Sequence, residues 1–200
     1  MAFEAAPTTI PVPASARFPI ELEIPPGFDP ADLVTWPRVA GRLEYVAGRL
    51  LFLPPCGLMQ QGTAVDATFV LRSWSEDHPE FFVGGLEAGM LLGGDVRGAD
   101  AAVWRRDALG PLGTGFARVQ PILAVEVEGQ EEHEAKLREK AGWYFDHGVE
   151  IVWIVLSSSR EVVVLRPDGE SRHGVGDHLP PHVSLPALAP AVDRFFRQLG

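Results

Sequence analysis

The sequence predicts an α/β domain, and three stretches carry that prediction. PILAVEVEGQEEHEAKLREKAGWYFDHGVEIVWIVL, Pro121 to Leu156, reads as strand, helix and strand in succession. RLEYVAGRLLFLPP, Arg42 to Pro55, reads as a hairpin, with Ala47-Gly48 as its tight turn. LMQQGTAVDATFVLRSWSEDH reads as a helix, because Ala67, Val70, Leu71 and Trp74 fall at core spacing.

The remaining elements follow in chain order. Residues 1–28 hold many of the 18 prolines and read as an extended, weakly ordered leader, leaving 29–200 as a single domain. Asp29-Pro30 ahead of ADLVTW predicts a short helix with Asp29 as N-cap and Pro30 at its first position, closed by Pro37. FFVGG and LEAGMLLGG are two short strands, and GADAAVW is a third with Asp100 near its start. ALGPLGTGF is loop. The long helix is expected to begin within the run Glu128, Glu131, Glu132, Glu134, where acids suit the positive end of the helix dipole, and to end at His147-Gly148. Ile151–Leu156 and Glu161–Leu165 are strands around SSSR, Pro167-Asp168-Gly169 is a turn, and the tail holds a loop and an amphipathic helix.

Composition narrows the function. An apolar share of 46% and a mean hydropathy of +0.06 describe a globular protein, and no apolar run approaches the ~20 residues of a membrane helix. MAFEAAPTTIPVPASARF lacks the basic and apolar regions of a secretory signal, so the cytoplasm is the expected location. Cys56 is the only cysteine, which excludes internal disulfides and cysteine zinc sites; it reads as a buried thiol. A net charge of −10 opposes simple nucleic-acid binding, which would need a local basic patch or divalent cations.

Glu126 interrupts an apolar strand, Ile122 to Val127, and makes it too polar for a fully buried one. Glu128 shares its face by the two-residue period; followed at once by Gly129, it is open to two readings, a wetted strand end or a ligand. Asp100 alone is an ordinary strand aspartate, and its weight comes from pairing. Mg²⁺ takes one or two protein carboxylates and leaves its other positions to water and phosphate, a requirement that two acids on neighbouring strands meet. Lys136, Lys140 and Tyr144 form one helix stripe; Lys140 is either a solvated lysine or, beside Trp143 and Tyr144, an inward-facing one. Pro180-Pro181 rules out a helical metal pair between His178 and His182, and GPLGTG lacks the lysine of a phosphate loop.

At these residues the sequence resembles the Uma-type restriction-endonuclease family of the PD-(D/E)XK nuclease superfamily. LEYVAGRLLFLPP matches its opening hairpin through Glu44 and Gly48. GADAAVW matches its Pro-Asp strand through Asp100, with Ala99 in place of proline. ILAVEV and KAGWYFDHGVEIVWIV match through Glu126, Lys140, Tyr144, Gly148, Val149 and Trp153, and LPALAPAVDRFF resembles the closing segment. Two positions depart: Gln60 stands where the family often has histidine, and EGQEE replaces a serine. The superfamily commonly places its lysine two residues after the glutamate, where this chain has Glu128; in this family the helix supplies it, which fits Lys140.

The resemblance implies a restriction-endonuclease-like mixed β-sheet flanked by helices and a Mg²⁺- or Mn²⁺-dependent DNA endonuclease, expected as a homodimer. Asp100 and Glu126 would bind the metal, Lys140 would orient water or steady the phosphorane, Glu44 would be an outer ligand, and Glu128 would serve a second ion. Two other readings remain: a catalytically weak or inactive interaction protein on the same scaffold, and a metal-dependent hydrolase of a small phosphoester.

Overall fold

The computed structural model describes residues 17–130 and 132–200, so most of the expected leader and Glu131 lie outside the described residues. The strands are β1 Ile20–Leu22, β2 Arg42–Val46, β3 Arg49–Leu53, β4 Phe81–Leu92, β5 Asp95–Arg105, β6 Leu123–Val127, β7 Ile151–Leu156, β8 Glu161–Arg166 and β9 Gly169–Gly174. The α-helices are α1 Leu58–Ser75, α2 Arg106–Leu109 and α3 Glu134–Asp146. One mixed sheet runs β1-β3-β2-β5-β6-β7-β8-β9, with β4 also paired to β5. Among these pairings only β6–β7 is parallel, and α3 makes its crossover.

The hairpin turns as its sequence predicts. Ala47 and Gly48 have φ of 50° and 77°, the paired positive values of a two-residue hairpin turn. The two strands expected in FFVGG and LEAGMLLGG are instead one, β4, whose register against β5 slips between Gly85 and Ala88. Leu86 and Glu87 form that bulge with φ of 55° and 66°. Asp100 is correspondingly mid-strand, since β5 starts at Asp95.

Three further expectations are corrected. The short helix is a 3₁₀ turn, Leu33–Thr35, capped by Asp32, whose side chain accepts from Val34 N–H at 3.0 Å. Asp29 accepts from Ala31 N–H instead, because its carboxylate sits two residues before that donor in an Asx turn. The helix expected within the acidic run begins only at Glu134, after the 128–133 segment has left the strand. Ile20–Leu22, placed in the leader by sequence, form β1 against β3.

Alternation along the central strands sorts two cores. Val125, Val127, Trp153 and Val155 pack with Val70, Leu71 and Phe195 on the α1 side. Ala124, Val152 and Ile154 pack with Leu137, Ala141 and Tyr144 of α3 on the other. β6 is thus buried along its whole length, against the sequence expectation, and Glu126 is only 2% exposed beneath α3. No helix among the described residues is long and apolar enough to cross a membrane.

Candidate active site

β5 and β6 run antiparallel with Ala101 opposite Val125. The same register sets Asp100 opposite Glu126, and the two-residue period turns both toward α3. Asp100 Oδ2 accepts the Val127 N–H at 2.7 Å, so the strand's own backbone fixes the aspartate. From α3, one turn apart, come Lys140 and Tyr144. The Tyr144 hydroxyl donates to Glu126 Oε1, and Lys140 Nζ donates to Glu126 Oε2 at 2.9 Å. The same ammonium donates to the Gly98 carbonyl at 2.8 Å and lies 3.3 Å from Glu44 Oε1. Two of its protons are thus placed in hydrogen bonds, and a second carboxylate lies within ion-pair distance. β2 carries Glu44 there through its pairing with β5 at Tyr45 and Val96. Arg97 closes on the other Glu44 oxygen at 3.5 Å.

Glu128 does not join them. β6 ends at Val127, the period ends with it, and the Glu128 carboxylate accepts from the Ser158 N–H at 3.0 Å and its hydroxyl at 2.6 Å. The acid that does approach Asp100 is Glu87, delivered by the bulge of β4. Ligand atoms of Cys56, Glu87 and Asp100 all lie within 4.8 Å of one another. Arg42 holds Glu87 at 2.9 Å and Glu132 at 3.1 Å. Glu87, Arg42 and Arg97 were hidden from the sequence reading. Glu87 depends on a two-residue bulge, and the arginines meet acids 45 to 90 positions distant along the chain, which would need the register first. Cys56 is half-buried rather than buried.

A cavity of about 480 Å³ opens over this constellation, within the range of ligand sites. Glu44, Gln60, Arg97 and Lys140 line it, whereas Glu126 lies behind Lys140 and out of the lining. Gln60, at the departure from histidine, is buried and donates to the Val127 carbonyl at 3.3 Å.

The electrostatics are short of positive charge. Burial pushes the Asp100 carboxyl up to about 6, against the pull of Lys140 and the Val127 N–H. Burial pushes Glu126 up to about 8, again opposed by Lys140 and reinforced by Asp100. Burial alone would lower Lys140, but Glu126 and Glu44 hold it well above its ordinary value. Burial and the Glu126 charge raise Tyr144 well above the phenol range, so it remains a donor. Lys140, with Arg97 at Glu44, thus faces three buried acids, two of which are reluctant to ionise. That deficit and the oxygen-rich donor set fit an added hard divalent cation; the Cys56 thiol is not a ligand such an ion selects.

Residues 30–193 match the family described as "Uma2: Putative restriction endonuclease". The chain belongs to the Uma2 family. Family membership supports a nuclease function, and nucleases of this kind generally use a divalent metal. Among solved structures, the Uma2 chain is similar to a crystal structure titled as a putative nuclease belonging to DUF820 from Anabaena variabilis. The TM-score is 0.72 at 17% identity, over 84% of this chain and 96% of that one, which shows a shared fold. No curated protein matches.

Proposed function

We propose that the protein is a Mg²⁺- or Mn²⁺-dependent endonuclease that hydrolyses phosphodiester bonds of DNA. The observation that supports this most is the convergence of Asp100 and Glu126, facing each other across β5 and β6, with Lys140 from α3. Asp100 and Glu126 are the residues that would hold the metal, with Glu87 as a third carboxylate and Glu44 outside them. When bound, the ion supplies Lewis acidity and offsets charge gathering on the phosphate.

The chain's own groups do the rest. Lys140 stands between the acids and the cavity, where an ammonium steadies a phosphorane's developing charge or orients the attacking water. Tyr144 fixes the Glu126 carboxylate from the side away from Lys140. Asp100 is held by the Val127 N–H, so it is oriented before substrate arrives. A homodimer would present two such centres to the two strands of a duplex, and the cytoplasm would supply both substrate and ion.

Plasmid cleavage with Mg²⁺ or Mn²⁺ tests the proposal, with Asp100→Asn/Glu126→Gln as the comparison. Wild type is expected to nick or linearise the plasmid and the double variant to lose at least about 100-fold of that activity. Equal residual nicking by the two proteins sinks the assignment. One observation favours the non-catalytic reading: both Glu126 oxygens are already engaged by Lys140 and Tyr144. Calorimetry separates them, since absence of Mg²⁺ and Mn²⁺ binding at millimolar concentration leaves only the interaction protein.

A further inference from the structure

We infer that Arg97 meets the phosphate being cut, through paired N–H donors of a guanidinium set beside Lys140. This rests on the nuclease reading and adds a second cation to the reacting centre. Arg97 and Lys140 flank one carboxylate. Lys140 Nζ lies 3.3 Å from Glu44 Oε1, and Arg97 Nη1 lies 3.5 Å from Glu44 Oε2. The Gly98 N–H donates to Glu44 Oε1 at 3.4 Å, so these three contacts are all long. Glu44 thus keeps two cations side by side without a short bond to either, and all three residues line the cavity.

Arg97 is fixed in place with its donors still available. Its side chain is 18% exposed, and its Cζ lies over the Trp143 ring, 5.2 Å from the centroid. Trp143 is fixed in turn. Its Nε1–H donates to Asp95 Oδ2 at 2.9 Å, and Asp95 Oδ1 accepts the Ala47 N–H of the hairpin turn at 2.8 Å. Among the described residues no hydrogen bond uses the Arg97 guanidinium, and its Nε is buried without a partner. Arg42, in the same cavity, contrasts with it by donating to Glu87, Glu132 and the Pro54 carbonyl. Unpaired buried donors are unfavourable and collect where function needs them. A phosphate suits this one, because the planar fork matches two phosphate oxygens and charge-assisted bonds of that type are strong.

The test compares wild type, Arg97→Gln and Arg97→Lys. Binding of a fluorescein-labelled DNA duplex is followed by anisotropy in Ca²⁺ over a salt series, and single-turnover cleavage is followed in Mn²⁺. Arg97→Gln is expected to raise Kd about tenfold and slow cleavage at saturating enzyme at least about tenfold. The slope of log Kd against log salt should shrink by about 0.9. Arg97→Lys keeps the charge but lacks the fork and its stacking, so the slope should hold while Kd rises and the rate falls about threefold. Arg105→Gln, at the far end of β5, should change none of these. If wild type cuts and Arg97→Gln keeps its Kd, slope and rate, the inference is refuted and the nuclease reading stands. Slower cleavage at an unchanged slope means that Arg97 acts only through Glu44; a smaller slope at an unchanged rate puts its contact on another phosphate. Either result refutes the inference. Should circular dichroism show Arg97→Gln unfolded, Arg97→Lys decides, and wild-type Kd and rate in that variant refute the forked contact. A wild type that does not cut brings down the nuclease reading, and the inference with it.

Discussion

Replacing Glu126 by glutamine should flatten the pH dependence of stability in the metal-free protein. Glu126 is 2% exposed, and burial lifts its carboxyl from the ordinary 4.5 to about 8. An acid raised in the folded state binds its proton more tightly there than in the unfolded chain. Its contribution is therefore most favourable below about 4.5 and is lost as pH climbs toward 8. Each pH unit in that window is worth about 1.4 kcal/mol. Between pH 5.5 and 8, allowing for half-titration at the upper end, wild type loses about 3 kcal/mol through this one side chain. Glutamine has no proton to exchange, so the difference between the two proteins isolates the Glu126 site. Urea unfolding in EDTA at pH 5.5 and 8 should show the stability difference moving by about 3 kcal/mol in favour of Glu126→Gln as pH rises. Its absolute level will include a cost of about 1–3 kcal/mol for an amide donor set against Lys140. Parallel pH profiles for the two proteins refute the buried, proton-retaining Glu126.

Three more outcomes follow from the same geometry. Mn²⁺ should raise the wild-type melting temperature more at pH 8 than at pH 5.5, because protons compete for Asp100 and Glu126; scanning fluorimetry should show no such rise in Asp100→Asn/Glu126→Gln. Lys140→Met should destabilise by about 3–5 kcal/mol in urea, since it strands two buried carboxylates and the Gly98 carbonyl. Gly48→Val should cost about 1–2 kcal/mol through its φ of 77° while leaving metal binding by calorimetry unchanged.

Much of this fold was legible because the signals were local. The Ala47-Gly48 turn, the core spacing of α1 and the β6–α3–β7 unit each declare themselves within one continuous stretch of sequence, and the family likeness tied Asp100, Glu126 and Lys140 together. What escaped depends on pairing between distant strands. Glu126 looked incompatible with a buried strand because its offsets, Lys140 and Tyr144, lie 14 and 18 residues on. Glu87 was invisible for the reason that a bulge breaks the alternation by which strand residues are assigned to a face. Glu128 was misplaced by extending that alternation one residue past the end of β6. The start of α3 was set too early because acidic residues mark a helix's positive end only loosely; Glu132 serves Arg42 instead.

The buried ammonium beside Glu126 descends from α3, and the position two residues beyond Glu126 on the chain holds an acid, Glu128. Glu128 acts as a clasp on Ser158, pinning the corner where β7 gives way to β8. Buried ammonium and scaffold fastening therefore come from different elements: α3 carries Lys140 down to Glu126, and the exit of β6 carries the clasp.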